Sequence, residues 1–88
     1  MNEAQFRQQL QDEGYSDAEP LECEANMAKE MHVHDFSASV LVLKGEFTLV
    51  TEDGSVTHRP GETCKLAAGT LHVEQTGADG ATILIGKK

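Results

Sequence analysis

The chain has 88 residues, 39% of them hydrophobic and 25% charged, and sets fifteen acidic against seven basic side chains for a net charge of −8. A length of this order fills one hydrophobic core and buries only ~60–65% of the unfolded surface, so a single domain with a modest core is expected. The acidic balance argues against nucleic acid and against an anionic membrane surface, because phosphate binding needs clustered Lys and Arg, and two of the seven basic residues are simply Lys87-Lys88 at the end.

The first element is a helix over residues 2 to 13. Asn2 with Gln5 fits a capping box, Met1 and Phe6 occupy the two positions of a hydrophobic staple, and Gly14 suits the residue after the last turn. Phe6 and Leu10 form a thin apolar face, so the helix must lean on another element. MNEAQFRQQLQDEG is too polar for a secretion signal, and no apolar run approaches the ~18 residues of a spanning helix.

From Pro20 the apolar period becomes two. Leu21, Cys23, Ala25 and Met27 alternate with polar residues, which predicts a half-buried strand through LECEANM. The phase then changes: His32, His34, Phe36, Ala38, Val40 and Val42 share an even-numbered face, so a bend is expected near Ala28-Lys29-Glu30. Residues 40 to 43, VLVL, are apolar on both faces and predict a central strand. Lys44-Gly45 is expected to turn the chain into EFTLV, and EDGS to form a hairpin turn centred on Asp53-Gly54. VTHR, TCKL, LHVEQT and ATILIG then read as short strands separated by PGE, AAGT and TGADG. The pattern is all-β, a sandwich or small barrel with one N-terminal helix.

Two histidines at strand spacing point to one face, so His32 and His34 can converge on one point, and His72 opens the strand LHVEQT. Neutral imidazole is the commonest ligand of catalytic first-row metals, although an isolated H-x-H arises often by chance. The surrounding spacing resembles the cupin family. Its first motif, G-x5-HxH-x3,4-E-x6-G, is met in register by His32, His34 and Gly45, with Asn26 at the first glycine and Ala38 at the glutamate. Its second, G-x5-PxG-x2-H-x3-N, is met by Gly61, Gly69 and His72, with Ala67 at the proline and Thr76 at the asparagine.

The resemblance covers residues 19 to 86 and implies a small jelly-roll β-barrel over residues 19–88, preceded by the helix of residues 1–14. It further implies a divalent transition metal (Fe, Ni, Zn, Mn or Cu) on His32, His34 and His72. It supplies no carboxylate, because Ala38 stands where the family has Glu. Glu74 shares a face with His72. It is expected either to reach the metal, as ligand or as a catalytic base, or to leave toward water at the barrel mouth. His58 is read as a surface residue, and Cys23 and Cys64 as core. The cysteines lack C-x-x-C spacing, so reduced thiols and a cytoplasmic location are expected.

Two functions fit these residues. One is a metal-dependent enzyme, a dioxygenase, isomerase or lyase, acting on a small molecule. The other is a non-catalytic barrel that binds or senses a metal or metabolite. A core this small with open sheet edges also favours a homodimer.

Overall fold

The computed structural model describes all residues from Met1 to Lys88. Helix α1, Glu3–Glu13, is followed by strands β1 (Glu19–Cys23), β2 (Ala38–Thr51), β3 (Gly54–His58), β4 (Thr63–Leu66) and β5 (Val73–Lys87). All pairings are antiparallel. The order is β1-β5-β2-β3, and β4 pairs with β2 off that path, alongside the start of the strand. The strands curl into a small jelly-roll barrel, the fold class expected from the short-strand pattern.

Both ends of α1 form as their residues dictate. The Asn2 side chain accepts from the Gln5 backbone N–H at 2.8 Å, and the Gln5 side chain accepts from the Asn2 N–H at 3.0 Å. At the other end Gly14 adopts φ +82°, and the Tyr15 N–H reaches back to the Leu10 carbonyl at 2.9 Å. Phe6 and Leu10 are buried in one cluster with Ala18, Leu41 and Leu84, so the helix leans on the outer face of β2 and β5. The opposite face of the same strands carries Val40, Val42, Phe47, Ala81 and Ile83, which fill the barrel. Alternation along VLVL thus feeds two apolar layers at once, as expected of a central strand.

Three expected breaks lie elsewhere. Lys44-Gly45 is not a turn: β2 runs through it, and the ladder with β5 shifts register between Val42 and Lys44 and again between Gly45 and Phe47. TGADG is likewise a bulge inside a continuous β5, since the pairing jumps from Gly45↔Ala81 to Phe47↔Thr76. Residues 77 to 80 therefore have no partner on β2. A glycine with positive φ serves a turn or a bulge equally well, and the partner strand decides between them. In the β2–β3 hairpin Thr51 pairs with Gly54, so the two loop residues are Glu52 and Asp53.

The strand read through LECEANM stops at Cys23. The chain turns at Ala25-Asn26, earlier than expected, and Asn26 has φ +53°. Asparagine tolerates this left-handed region better than most residues, which accounts for its standing at a motif glycine. Thr76, at the motif asparagine, anchors the same turn: its hydroxyl accepts from the Met27 N–H at 2.8 Å and donates to the Glu24 carbonyl. Leu21 and Ala25 are exposed and Cys23 half-buried, so β1 does not bury the apolar face its alternation suggested. As an edge strand it meets only β5.

Candidate metal centre

His32 and His34 do not lie on a regular strand. Residues 29 to 37 are irregular, and His32 alone makes a bridge, exchanging both backbone hydrogen bonds with His72 at 2.9 and 3.0 Å. The same-face expectation nevertheless holds. His32, His34 and Phe36 turn inward while Met31, Val33 and Asp35 are exposed. The His34 carbonyl accepts from the Gly69 N–H at 2.9 Å, which ties the H-x-H segment to the turn before His72.

The three rings pack with centroids 4.4 to 4.9 Å apart. Glu74, two residues beyond His72 on β5, completes the group: one donor atom from each of the four side chains lies within 4.8 Å of the others. Its Oε2 is 2.8 Å from His32 Nε2, 3.2 Å from His72 Nε2 and 3.6 Å from His34 Nε2. Of the two expectations for Glu74, the inward one holds, and the carboxylate that position 38 lacks is brought in from position 74. Ala38 is buried beside His34, His72 and Glu74, on the barrel-facing side predicted for it. His58 stands outside the cluster, paired with Phe47 in the β2–β3 hairpin.

The remaining ring nitrogens decide whether this group suits a cation. His32 Nδ1 donates to the Glu30 carbonyl at 2.6 Å and His72 Nδ1 to the Thr70 carbonyl at 2.9 Å. A carbonyl oxygen only accepts, so both rings carry a proton on Nδ1. In the neutral rings each Nε2 then turns a lone pair toward the Glu74 carboxylate, an acceptor facing acceptors. A cation at the centre removes that conflict, and fixing the ring through its far nitrogen is the usual support of a ligating histidine. Three imidazole nitrogens and one carboxylate oxygen form a donor set suited to a first-row transition metal.

The charges around Glu74 point the same way. Burial pushes its carboxyl up. The hydrogen bond to His32, the nearby Lys29 charge and His72 outweigh that push, so the group sits below the usual carboxylate range and is ionised at neutral pH. Behind the cluster a cavity of about 30 Å³ is lined mainly by apolar side chains, among them Val40, Phe47, Cys64 and Ile83. It has room for a water or so and none for an organic substrate. Burial, aided by the Glu74 charge, pushes the Cys64 thiol up to about 12. In a Cys23→Ala background, an aromatic disulfide reagent at pH 8 is therefore expected to titrate Cys64 only after denaturant is added. Rapid labelling of the folded protein would show the cavity open to solvent.

The fold and this group define a class: a small jelly-roll barrel with a His3Glu cluster able to hold a metal ion. No family model and no curated protein matches the sequence. Solved structures match well, and the fold is that of a cupin domain. One is a protein of unknown function from Rhizobium leguminosarum (TM-score 0.75, 17% identity, 81% of this chain and 67% of that one). A cupin-2 domain protein from Shewanella frigidimarina matches with TM-score 0.66 and 20% identity, over 78% of this chain and 66% of that one. The polyketide cyclase RemF from Streptomyces resistomycificus matches with TM-score 0.67 and 22% identity, over 83% of this chain and 54% of that one. The chain thus spans between about half and two-thirds of the length of the barrels it resembles.

Proposed function

We propose that the protein is a metal-dependent cupin that holds one divalent transition metal on His32, His34, His72 and Glu74 and acts on a small organic molecule. The observation that carries this reading is the pair of Nδ1–carbonyl hydrogen bonds, which aim two buried or half-buried Nε2 lone pairs at a carboxylate. A bound metal supplies a Lewis-acid centre with positions open beyond the protein ligands. The chain's own part is to keep the imidazoles neutral and oriented, to present an ionised carboxylate, and to wall off the rear of the site with apolar side chains. The side chains of His32 and His34 are 28% and 31% exposed while that of His72 is 0%, so access is from the H-x-H side. The likeness to a barrel named a polyketide cyclase accords with chemistry on an organic molecule. Elemental analysis of protein purified with divalent metals present is expected to give about one transition-metal ion per chain, and protein that stays empty after supplementation at pH 7.5 would refute the reading.

A homodimer forms part of the same proposal. β1 and β3 are open sheet edges. Met31, Val33 and Leu71, 51%, 55% and 41% exposed, flank the His32–His72 bridge and by alternation leave the opposite side of the wall from the two histidines. Light scattering at micromolar concentration is expected to report twice 9.5 kDa; a stable monomer would remove the dimer from the proposal.

A further inference from the structure

Most of the seven basic side chains are already engaged. Arg7 pairs with Glu3 and Asp17, Arg59 with Glu46, and Lys65 with Glu13. Lys88 Nζ donates to the Glu13 carbonyl and lies over the Tyr15 ring. Lys29, Lys44 and Lys87 make no ion pair, and two of these three, Lys29 and Lys87, line the same groove on the flank of the barrel. Its volume is about 200 Å³, and His34 and Glu74 of the metal group form part of its wall.

The rest of that wall is apolar and comes from residues the barrel core leaves out. Leu21, 46% exposed on β1, lines the groove together with Phe36 and Ile85. Lys87 Nζ lies 4.9 Å from the Phe36 ring centre, and Phe36 stacks on His34 with centres 4.6 Å apart. A cation, an aromatic face and a metal-group imidazole are thus layered in that order. Lys29 enters from the other side, held by its backbone N–H to the Glu74 carbonyl at 3.1 Å. Glu74 itself turns into the histidines, which leaves Glu19 as the one carboxylate facing two lysines.

We propose that this groove is the substrate site and that it selects a small organic acid, its carboxylate held by Lys29 and Lys87 and its apolar body lying against Leu21, Phe36 and Ile85. The inference rests on the metal-dependent reading for the chemistry that follows binding. In a protein of net charge −8, free ammonium groups concentrated at one groove oppose the general repulsion of anions. Pockets for drug-sized ligands run roughly 300–1,000 Å³, so a groove of about 200 Å³ takes something smaller. Bound there, the acid has its body beside His34, on the exposed side of the metal group.

Hexanoate is the probe, compared with hexanol and hexylammonium, which share its tail. Titration calorimetry on the full chain, EDTA-treated and zinc-loaded, is expected to show hexanoate binding to both forms about tenfold more tightly than hexanol. Hexylammonium is expected to bind no better than hexanol. Lys29→Met and Lys87→Met keep an unbranched stem and remove the charge; each is expected to weaken hexanoate roughly tenfold and leave hexanol unchanged. Equal hexanoate binding by wild type and both variants overturns the proposal, as does hexanoate binding no tighter than hexanol. A chain that takes one zinc yet binds no hexanoate overturns the substrate class and leaves the metal site standing. Lysine-dependent hexanoate binding by a chain that takes no zinc supports the groove and removes the metal reading instead.

Discussion

His72→Ala is expected to abolish metal-dependent stabilisation of this protein, while His58→Ala leaves it intact. A ligand that binds only the folded state stabilises it by about 2.7 kcal/mol at a hundredfold excess over Kd. For a chain of this size that corresponds to a rise in Tm on the order of 10–20 °C. His72 is fully buried, hydrogen-bonded through Nδ1 to the Thr70 carbonyl and aimed through Nε2 at Glu74. Its loss removes a ligand whose geometry the backbone bridge to His32 has fixed in advance. Supporting residues around metal ligands alone contribute roughly 10–100-fold to affinity, and a ligand is worth at least as much. His34→Ala serves as a second variant, because that ring is about one-third exposed and its removal leaves a smaller cavity. Glu74→Gln keeps shape and removes charge, so it is expected to weaken binding without abolishing it. Calorimetric melts with and without Zn(II) check all four. A metal-induced shift that survives both His72→Ala and His34→Ala would place the ion elsewhere.

Gly45→Ala is expected to destabilise the fold by about 3 kcal/mol or more, a large share of the roughly 5–15 kcal/mol that holds a domain together. Gly45 has φ +75°, and a Cβ built there falls 2.0 Å from the Gly80 carbonyl oxygen and 2.9 Å from its carbon. Both atoms are backbone, so no side chain can swing aside. Gly80, itself at φ +70°, would in turn place a Cβ 2.5 Å from the Cys23 carbonyl oxygen. The two glycines lie at the row where Gly45 pairs with Ala81 and Ala81 with Cys23, next to the bulge at residues 77 to 80. Three strands approach closely there, and the barrel bends. Left-handed strain of roughly 1–3 kcal/mol adds to overpacking of similar size. Gly69→Ala is the reference: its φ is +81°, with nothing within 4 Å of the added carbon, so it carries the strain term alone. Thermal melts followed by far-UV circular dichroism compare the two. If Gly45→Ala melts as high as Gly69→Ala, the register of β2 on β5 is not the one described.

The sequence by itself determined the local devices and the faces. Asn2 and Gln5 form their capping box, VLVL feeds two layers, and the inward phase of His32, His34 and Ala38 survives even though the histidines sit off the regular strand. Such features depend on bonds between near neighbours or on a period of two, which any extended segment obeys. Only the tertiary structure decided what the glycines at 45 and 80 do, because a left-handed φ suits a hairpin and a bulge alike, and the long β2–β5 ladder selects the bulge. The same holds for Glu74. Alternation put it on the His72 face, but whether it met water or imidazole depended on residues 29 to 34 folding back across β5, through the His32–His72 bridge and the Lys29–Glu74 hydrogen bond. Leu21 marks the opposite case. Its alternation predicted core, yet β1 is an edge with no second sheet over that face, so the side chain walls a groove instead. Periodicity says which way a residue points; only the packing of distant segments says what it meets there.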